Sequence, residues 1–210
     1  MKIIAFAGLA KSGKTTAAQA AADHLFSLGY TPVIEQFAGP LKRAAAELGF
    51  HKGGDTDHLY REFTQWAGER ARQEDIDWFV KLMAKRFDHH AQKEADRLAI
   101  GMRDLAYQGP WHETVVMLDD LRFPNEDALV KKYSGRTVFI SSMRRLDDLL
   151  ADWRKHPSEQ VATDYENGVL PDETFDMTIS NNNPDGMGSF KTIVTTLVEG
   201  IVTDAREELL

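Results

Sequence analysis

Gly8-Leu9-Ala10-Lys11-Ser12-Gly13-Lys14-Thr15 is the stretch that decides the fold. It fits G-x-x-x-x-G-K-[ST] without a mismatch, the pattern of a loop whose consecutive N–H groups turn inward onto phosphate oxygens. Glycines let the backbone curl, and the helix that follows presents its positive end to the same anion. In that arrangement Lys14 reaches the β- and γ-phosphates and Thr15 offers a hydroxyl to Mg²⁺. Gly8, Ala10, Lys11, Ser12, Gly13, Lys14, Thr15 and Thr16 are therefore the expected ATP-binding residues. The context supports the motif: an apolar run, Lys2–Ala7, precedes it, and a helical stretch, Lys14–Leu28, follows and stops at Gly29.

Outward from the loop, four more β-branched or apolar runs read as strands: Pro32–Phe37, Thr114–Leu118, Thr137–Ser141 and Met177–Ser180. Helical patterns lie between them. Leu59, Phe63, Trp66 and Arg70 share one helical face over 57–72. Trp78 and Leu82 begin another helix, and Phe190, Ile193, Val194, Leu197 and Ile201 form a stripe on the last. Alternating strands and helices predict one three-layer α/β domain over 1–210, with a parallel five-stranded sheet. The gap of about 40–112 is too long for one crossover and reads as a helical insertion. A second stretch, about 144–175, carries Arg144, Arg145, Arg154, Lys155 and His156 and reads as a small mobile lid, leaving a core of about 1–39, 113–143 and 176–210.

The 210 residues carry 42% hydrophobic and 28% charged side chains, an ordinary globular balance. A net charge of −8 argues against coating of nucleic acid but leaves room for a few cations focused in one cleft. There are no cysteines, which removes disulfides and thiolate metal sites. Apolar runs are of strand length, so no membrane span is expected, and a cytoplasmic location is. Seven histidines show no H-E-x-x-H spacing. Trp66 and Trp78 are read as packing residues, and Lys93–Arg97 as a solvated helix face.

Val115-Val116-Met117-Leu118-Asp119-Asp120 is an apolar run that ends in two acids. A buried strand ending in Asp beside a phosphate loop holds Mg²⁺ and its waters, and side-chain alternation lets only one of the two face the site. Arg122 follows at the carboxyl edge of the sheet, where its planar fork suits a phosphate.

At this point the chain resembles the bacteriophage deoxynucleoside monophosphate kinases, a branch of the P-loop nucleoside monophosphate kinase fold. The likeness rests on the phosphate loop, on Phe37-Ala38-Gly39-Pro40-Leu41-Lys42 (F-A-x-P-L-K) and on Asp120-Leu121-Arg122-Phe123-Pro124-Asn125-Glu126 (D-x-R-F-P-N-E). A C-terminal group completes it: His156-Pro157-Ser158-Glu159 (H-x-S-E) and Asp176-Met177-Thr178-Ile179-Ser180-Asn181 (D-x-T-I-x-N). Gln65–Arg72 with Asp77-Trp78 matches a further segment more weakly, leaving open whether Arg70 or Arg72 has the family role. The resemblance implies transfer of a phosphoryl group from ATP to a deoxynucleoside monophosphate, with Mg²⁺, in the host cytoplasm if the chain is phage-encoded. It implies Lys14, Asp120 and Arg122 as catalytic residues, and Phe37, Lys42, Arg70 or Arg72, and Arg122 around the acceptor. It also implies Arg144 closing over ATP, Thr15 and Asp120 at the metal, and Asp176 and Asn181 at the sheet edge near the adenine. Small nucleotides are the expected partners, and a homodimer is left open. The alternatives are a P-loop kinase acting on a hydroxyl of a modified base in DNA, and a non-catalytic nucleotide-binding module. A guanine-nucleotide switch lacks its N-K-x-D motif here.

Overall fold

The computed structural model describes residues 1–101, 113–142, 156–182 and 187–207. Five strands, β1 (Lys2–Ala7), β2 (Thr31–Glu35), β3 (Thr114–Leu121), β4 (Arg136–Ser141) and β5 (Met177–Ser180), form one sheet in the order β2-β3-β1-β4-β5. All four pairings are parallel. The helices are α1 (Lys14–Ser27), α2 (Gly39–Glu47), α3 (Asp57–Glu74), α4 (Trp78–Gly101), α5 (Pro124–Lys132), α6 (Pro157–Glu166) and α7 (Met187–Glu207). The expected three-layer α/β fold is the observed one.

Central strands of a parallel sheet are covered on both faces, so they read as continuous apolar runs. Successive residues of β1 and β3 serve opposite layers. Ile4, Phe6, Val115 and Met117 pack under α1 and α7, with Ala17, Ala18 and Ala21 letting α1 lie close. Ile3, Ala5, Val116 and Leu118 pack against Phe79, Met83 and Phe87 of α4 and Leu129 and Val130 of α5. This division fixes which strand-end side chains face α1.

Several expectations need correction. β2 ends at Glu35, short of Phe37, and β3 runs on to Leu121, so both aspartates lie within the strand. The 40–112 segment is not wholly an insertion, because α4 supplies Phe79, Met83 and Phe87 to the main core. Of the segment read as a lid, 156–175 holds α6 and a short 3-10 turn, and Ala162 and Phe175 are buried in that core. On α7 the stripe holds at Phe190, Val194 and Ile201, with Leu197 packed against the core at its margin; Val198 and Val202 join it, while Ile193 is exposed. On α3 the buried position is Gly68. Trp66 is 66% exposed and Trp78 49%, so neither is a core residue.

Candidate active site

The phosphate loop leaves β1 and turns through three left-handed residues, Gly8 (φ 134), Lys11 (φ 66) and Gly13 (φ 106), before α1 begins. Its shape is held from within and from outside. Ser12 N–H donates to the Leu9 carbonyl at 3.1 Å, and Asn181, just past β5, donates its amide to the Ser12 carbonyl at 2.9 Å. Ala10 N–H donates to Oε2 of Glu159 at 2.8 Å. A Cβ on Gly8 would lie 2.5 Å from the Ile140 carbonyl oxygen and 2.8 Å from the Ser12 hydroxyl. Gly8→Ala combines that overlap with a backbone angle L-residues avoid, and should cost about 2–4 kcal/mol. Thermal unfolding should show a fall of roughly 5–15 °C; an unchanged midpoint would mean that β4 yields at no cost.

Lys14 is buried, and its ammonium donates to the carbonyls of Gly8 and Leu9, each at 2.7 Å. Burial first, and then the Arg122 guanidinium, push its pKa down from 10.5 to about 7. The charge is kept in the fold at a cost that an arriving phosphate would relieve.

Beside the loop stand the two β3 carboxylates, turned to opposite sides. Asp119 Oδ2 accepts from the Thr15 hydroxyl at 2.8 Å, and its Oδ1 accepts from the Gln36 amide at 2.6 Å. Asp120 turns away from the loop. Its oxygens accept from the N–H groups of Phe37 (2.8 Å) and Ala38 (3.1 Å) and from Lys42 (3.0 Å) at the start of α2. The sequence expectation paired Thr15 with Asp120; the structure pairs it with Asp119. Continued alternation explains this, since Val115 and Met117 face α1 and so does Asp119. A hydroxyl and a carboxylate are the hard oxygen donors Mg²⁺ takes. Thr15 and Asp119 therefore fit such an ion, completed by phosphate and water. Among the described residues no group of three or more His, Cys, Asp or Glu side chains could hold a metal.

Loop and carboxylates open into a cleft of about 700 Å³ at the carboxyl edge of the sheet. Ala10, Lys11, Gly13, Lys14, Thr15 and Thr16 line one side. Phe37, Lys42, Arg72 and Arg122 line the other, with Tyr60, Thr64 and Gln65 of α3 and Lys52 before it. Phe37 itself is buried and meets Asp120 through its backbone. The Arg72 guanidinium carbon lies 3.9 Å from the centre of the Phe123 ring and 4.8 Å from that of Phe79, with Glu126 at 3.6 Å. Glu126 is buried and accepts from the N–H groups of Arg122 (2.9 Å) and Phe123 (3.2 Å). Burial, and then Asp120, push its carboxyl up to about 7, against the pull of those N–H groups and Arg72. Arg122 pairs through Nη1 with Glu159 and donates to Ser158 at 3.3 Å.

Arg70 stands apart. It is exposed on α3, paired with Glu74 and with Gln73, and lines no part of the cleft. Two residues along a helix turn the side chain by about 200°, so only one of the two arginines could face inward. Asp176 is also away from the cleft. It accepts from Thr137 at the opposite, amino-terminal edge of the sheet (2.7 and 2.8 Å), whereas Asn181 does reach the phosphate loop. Arg144 lies outside the described residues. Sequence reasoning missed Gln36, Tyr60, Thr64 and Lys52 as cleft residues, since none belongs to a motif.

No protein family matches the chain, and no curated protein does. Solved structures with a similar course of the chain include a shikimate kinase from Bacteroides thetaiotaomicron, at 16% identity and TM-score 0.46, covering 95% of this chain and 98% of that one. Another is a dephospho-CoA kinase from Campylobacter jejuni, at 13% identity and TM-score 0.47, covering 98% and 100%. A third is a gluconokinase from Sinorhizobium meliloti 1021, at 17% identity and TM-score 0.39, covering 99% and 95%. Nothing about this chain's reaction or substrate follows from likenesses of this degree.

Proposed function

We propose that this chain is a nucleoside monophosphate kinase that moves the γ-phosphoryl group of Mg·ATP onto the phosphate of a deoxynucleoside monophosphate, yielding ADP and the diphosphate. The observation that carries the reading is the meeting, in one cleft, of a phosphate loop with a second set of cations, Lys42, Arg72 and Arg122. A site for one nucleotide needs the loop alone; cations facing it across Asp119 and Asp120 suit a second anion. The deoxynucleotide acceptor is supported by the sequence resemblance, above all by Asp120–Glu126.

The chemistry asks little of a general base, because a monophosphate is already anionic at neutral pH. Positioning and charge neutralisation supply the rate. Lys14 leaves the loop carbonyls for the β- and γ-phosphate oxygens and follows the charge as it moves. Arg122 and Arg72 offer planar forks to the acceptor phosphate. Thr15 and Asp119 would hold Mg²⁺, which would supply neutralisation of the negative charge on the transferring phosphoryl group. Arg144 is proposed to close over ATP.

The deciding experiment incubates the protein with Mg·ATP and a panel of ribo- and deoxynucleoside monophosphates and DNA oligomers, and resolves the products by mass spectrometry. Diphosphate and ADP formed in equal amounts are expected with at least one deoxynucleotide. Transfer only to a DNA oligomer would replace the acceptor, and no transfer to anything would leave a binding module. Within the same assay, Arg72→Lys should lose about tenfold or more in kcat/KM for the monophosphate, since an ammonium cannot reproduce the stacked fork. Arg70→Lys should stay within about twofold of wild type, as exposed substitutions do. Equal losses would remove Arg72 from the acceptor site.

A further inference from the structure

We propose that Glu159 is a positioning residue that ties the phosphate loop to Arg122, so that occupancy of one half of the cleft changes affinity in the other. This rests on the reading of the cleft as a donor loop facing an acceptor site. Glu159 sits in the first turn of α6 and is 4% exposed. Its two oxygens have different partners. Oε2 accepts the N–H of Ala10 at the tip of the loop, at 2.8 Å, and Oε1 pairs with Nη1 of Arg122. One rigid carboxylate thus spans the two halves.

The other acids among the cleft cations are not built this way. Asp120 pairs with Lys42 and otherwise accepts from Phe37 and Ala38, while Glu126 faces Arg72 and accepts from Arg122 and Phe123. Neither reaches the phosphate loop. The bridge also leaves Arg122 able to bind. Glu159 and Ser158 both engage Nη1, whereas a guanidinium carries further N–H groups on Nε and Nη2. A phosphate can take these without displacing Glu159. Ser158 is itself fixed by the His156 ring, Nδ1 to Oγ at 2.9 Å, so the guanidinium is held from two adjacent residues. The residue type matters because a carboxylate accepts on both oxygens, whereas a glutamine amide accepts on one and donates from the other. In Glu159→Gln the amide nitrogen must face either the Ala10 N–H or Arg122, donor against donor, at almost unchanged volume.

The test is calorimetric, on the full chain. Affinity for a non-hydrolysable ATP analogue is measured with and without saturating amounts of the monophosphate that the product assay ranks first. In the wild type the monophosphate should tighten analogue binding about tenfold, and the reciprocal titration should give the same factor. Glu159→Gln should bring that factor to within about twofold of unity. Glu159→Asp keeps the charge but is one methylene too short for both partners, so it should do the same, and it carries the test if the glutamine variant does not fold. A variant that binds both ligands more weakly yet keeps the wild-type factor would show a merely structural residue and overturn the proposal. So would a wild type with no coupling. Failure of the kinase reading is a separate result: no monophosphate phosphorylated by the wild type in the product assay.

Discussion

Lys14→Met is expected to remove nearly all phosphoryl transfer while leaving the melting temperature unchanged or slightly raised. The two effects have one cause. The lysine ammonium is buried against the Gly8 and Leu9 carbonyls, with its pKa pushed down to about 7 by burial and by Arg122. Keeping that charge buried costs stability at neutral pH, because the unfolded chain holds the same proton far more tightly. Methionine fills similar volume without the charge. The loss of two hydrogen bonds to carbonyls, about 1 kcal/mol each, opposes the gain. In the reaction the balance reverses. A preorganised cation aimed at developing phosphoryl charge is worth about 10²–10³ in turnover when removed. The checks are initial rates by coupled ADP release and a thermal melt of the same preparation. A folded variant with near-wild-type turnover would take Lys14 out of the mechanism. A melting point lowered by many degrees would mean that the two carbonyl bonds outweigh the buried charge.

What the sequence could yield followed how local each decision was. The phosphate loop was legible because every part of it, the strand before it, the glycines and the helix after it, lies within one short stretch. β1 was legible to the residue, since a strand buried in a parallel sheet reads as an apolar run, and the edge strand β5 by its alternation, with Ile179 inward and Thr178 and Ser180 exposed. Failures came where a face had to be chosen. That Arg70 and Arg72 point apart is dictated by helix geometry, but which one meets the cleft depends on how α3 leans on α2. The α3 stripe misled for a related reason. This helix meets a core cluster only at its end, through Ala71, so Trp66 has no layer to enter and stays in solvent. Glu159 and Asn181 could be picked out by motif, but their contacts with the loop span 149 and 169 residues of chain. No periodicity carries such information.

Asp119 and Asp120 pose the same question of faces, and their variants should separate cleanly. Alternation along β3 requires that they diverge, but only the packing of α1 on the Val115–Met117 side decides that Asp119 meets Thr15. Asp119→Asn keeps the shape and offers one neutral oxygen where two anionic ones stood. The Mg²⁺ concentration for half-maximal rate should rise about tenfold or more, and turnover should fall by about 10²–10³, the scale for losing a preorganised charge in a phosphoryl-transfer site. Stability should change little, because Thr15 and Gln36 can still hydrogen-bond an amide. Asp120→Asn should do the opposite. This carboxylate accepts from two N–H groups just before α2 and pairs with Lys42, so it holds both the turn into α2 and a half-buried ion pair. Replacing it should cost about 1–3 kcal/mol of stability and weaken acceptor binding by freeing Lys42. Its Mg²⁺ dependence should match the wild type. The experiment is a Mg²⁺ titration of rate at fixed ATP for both variants beside thermal melts. A steeper Mg²⁺ requirement at Asp120 than at Asp119 would return the metal to the residue that the sequence motif first suggested.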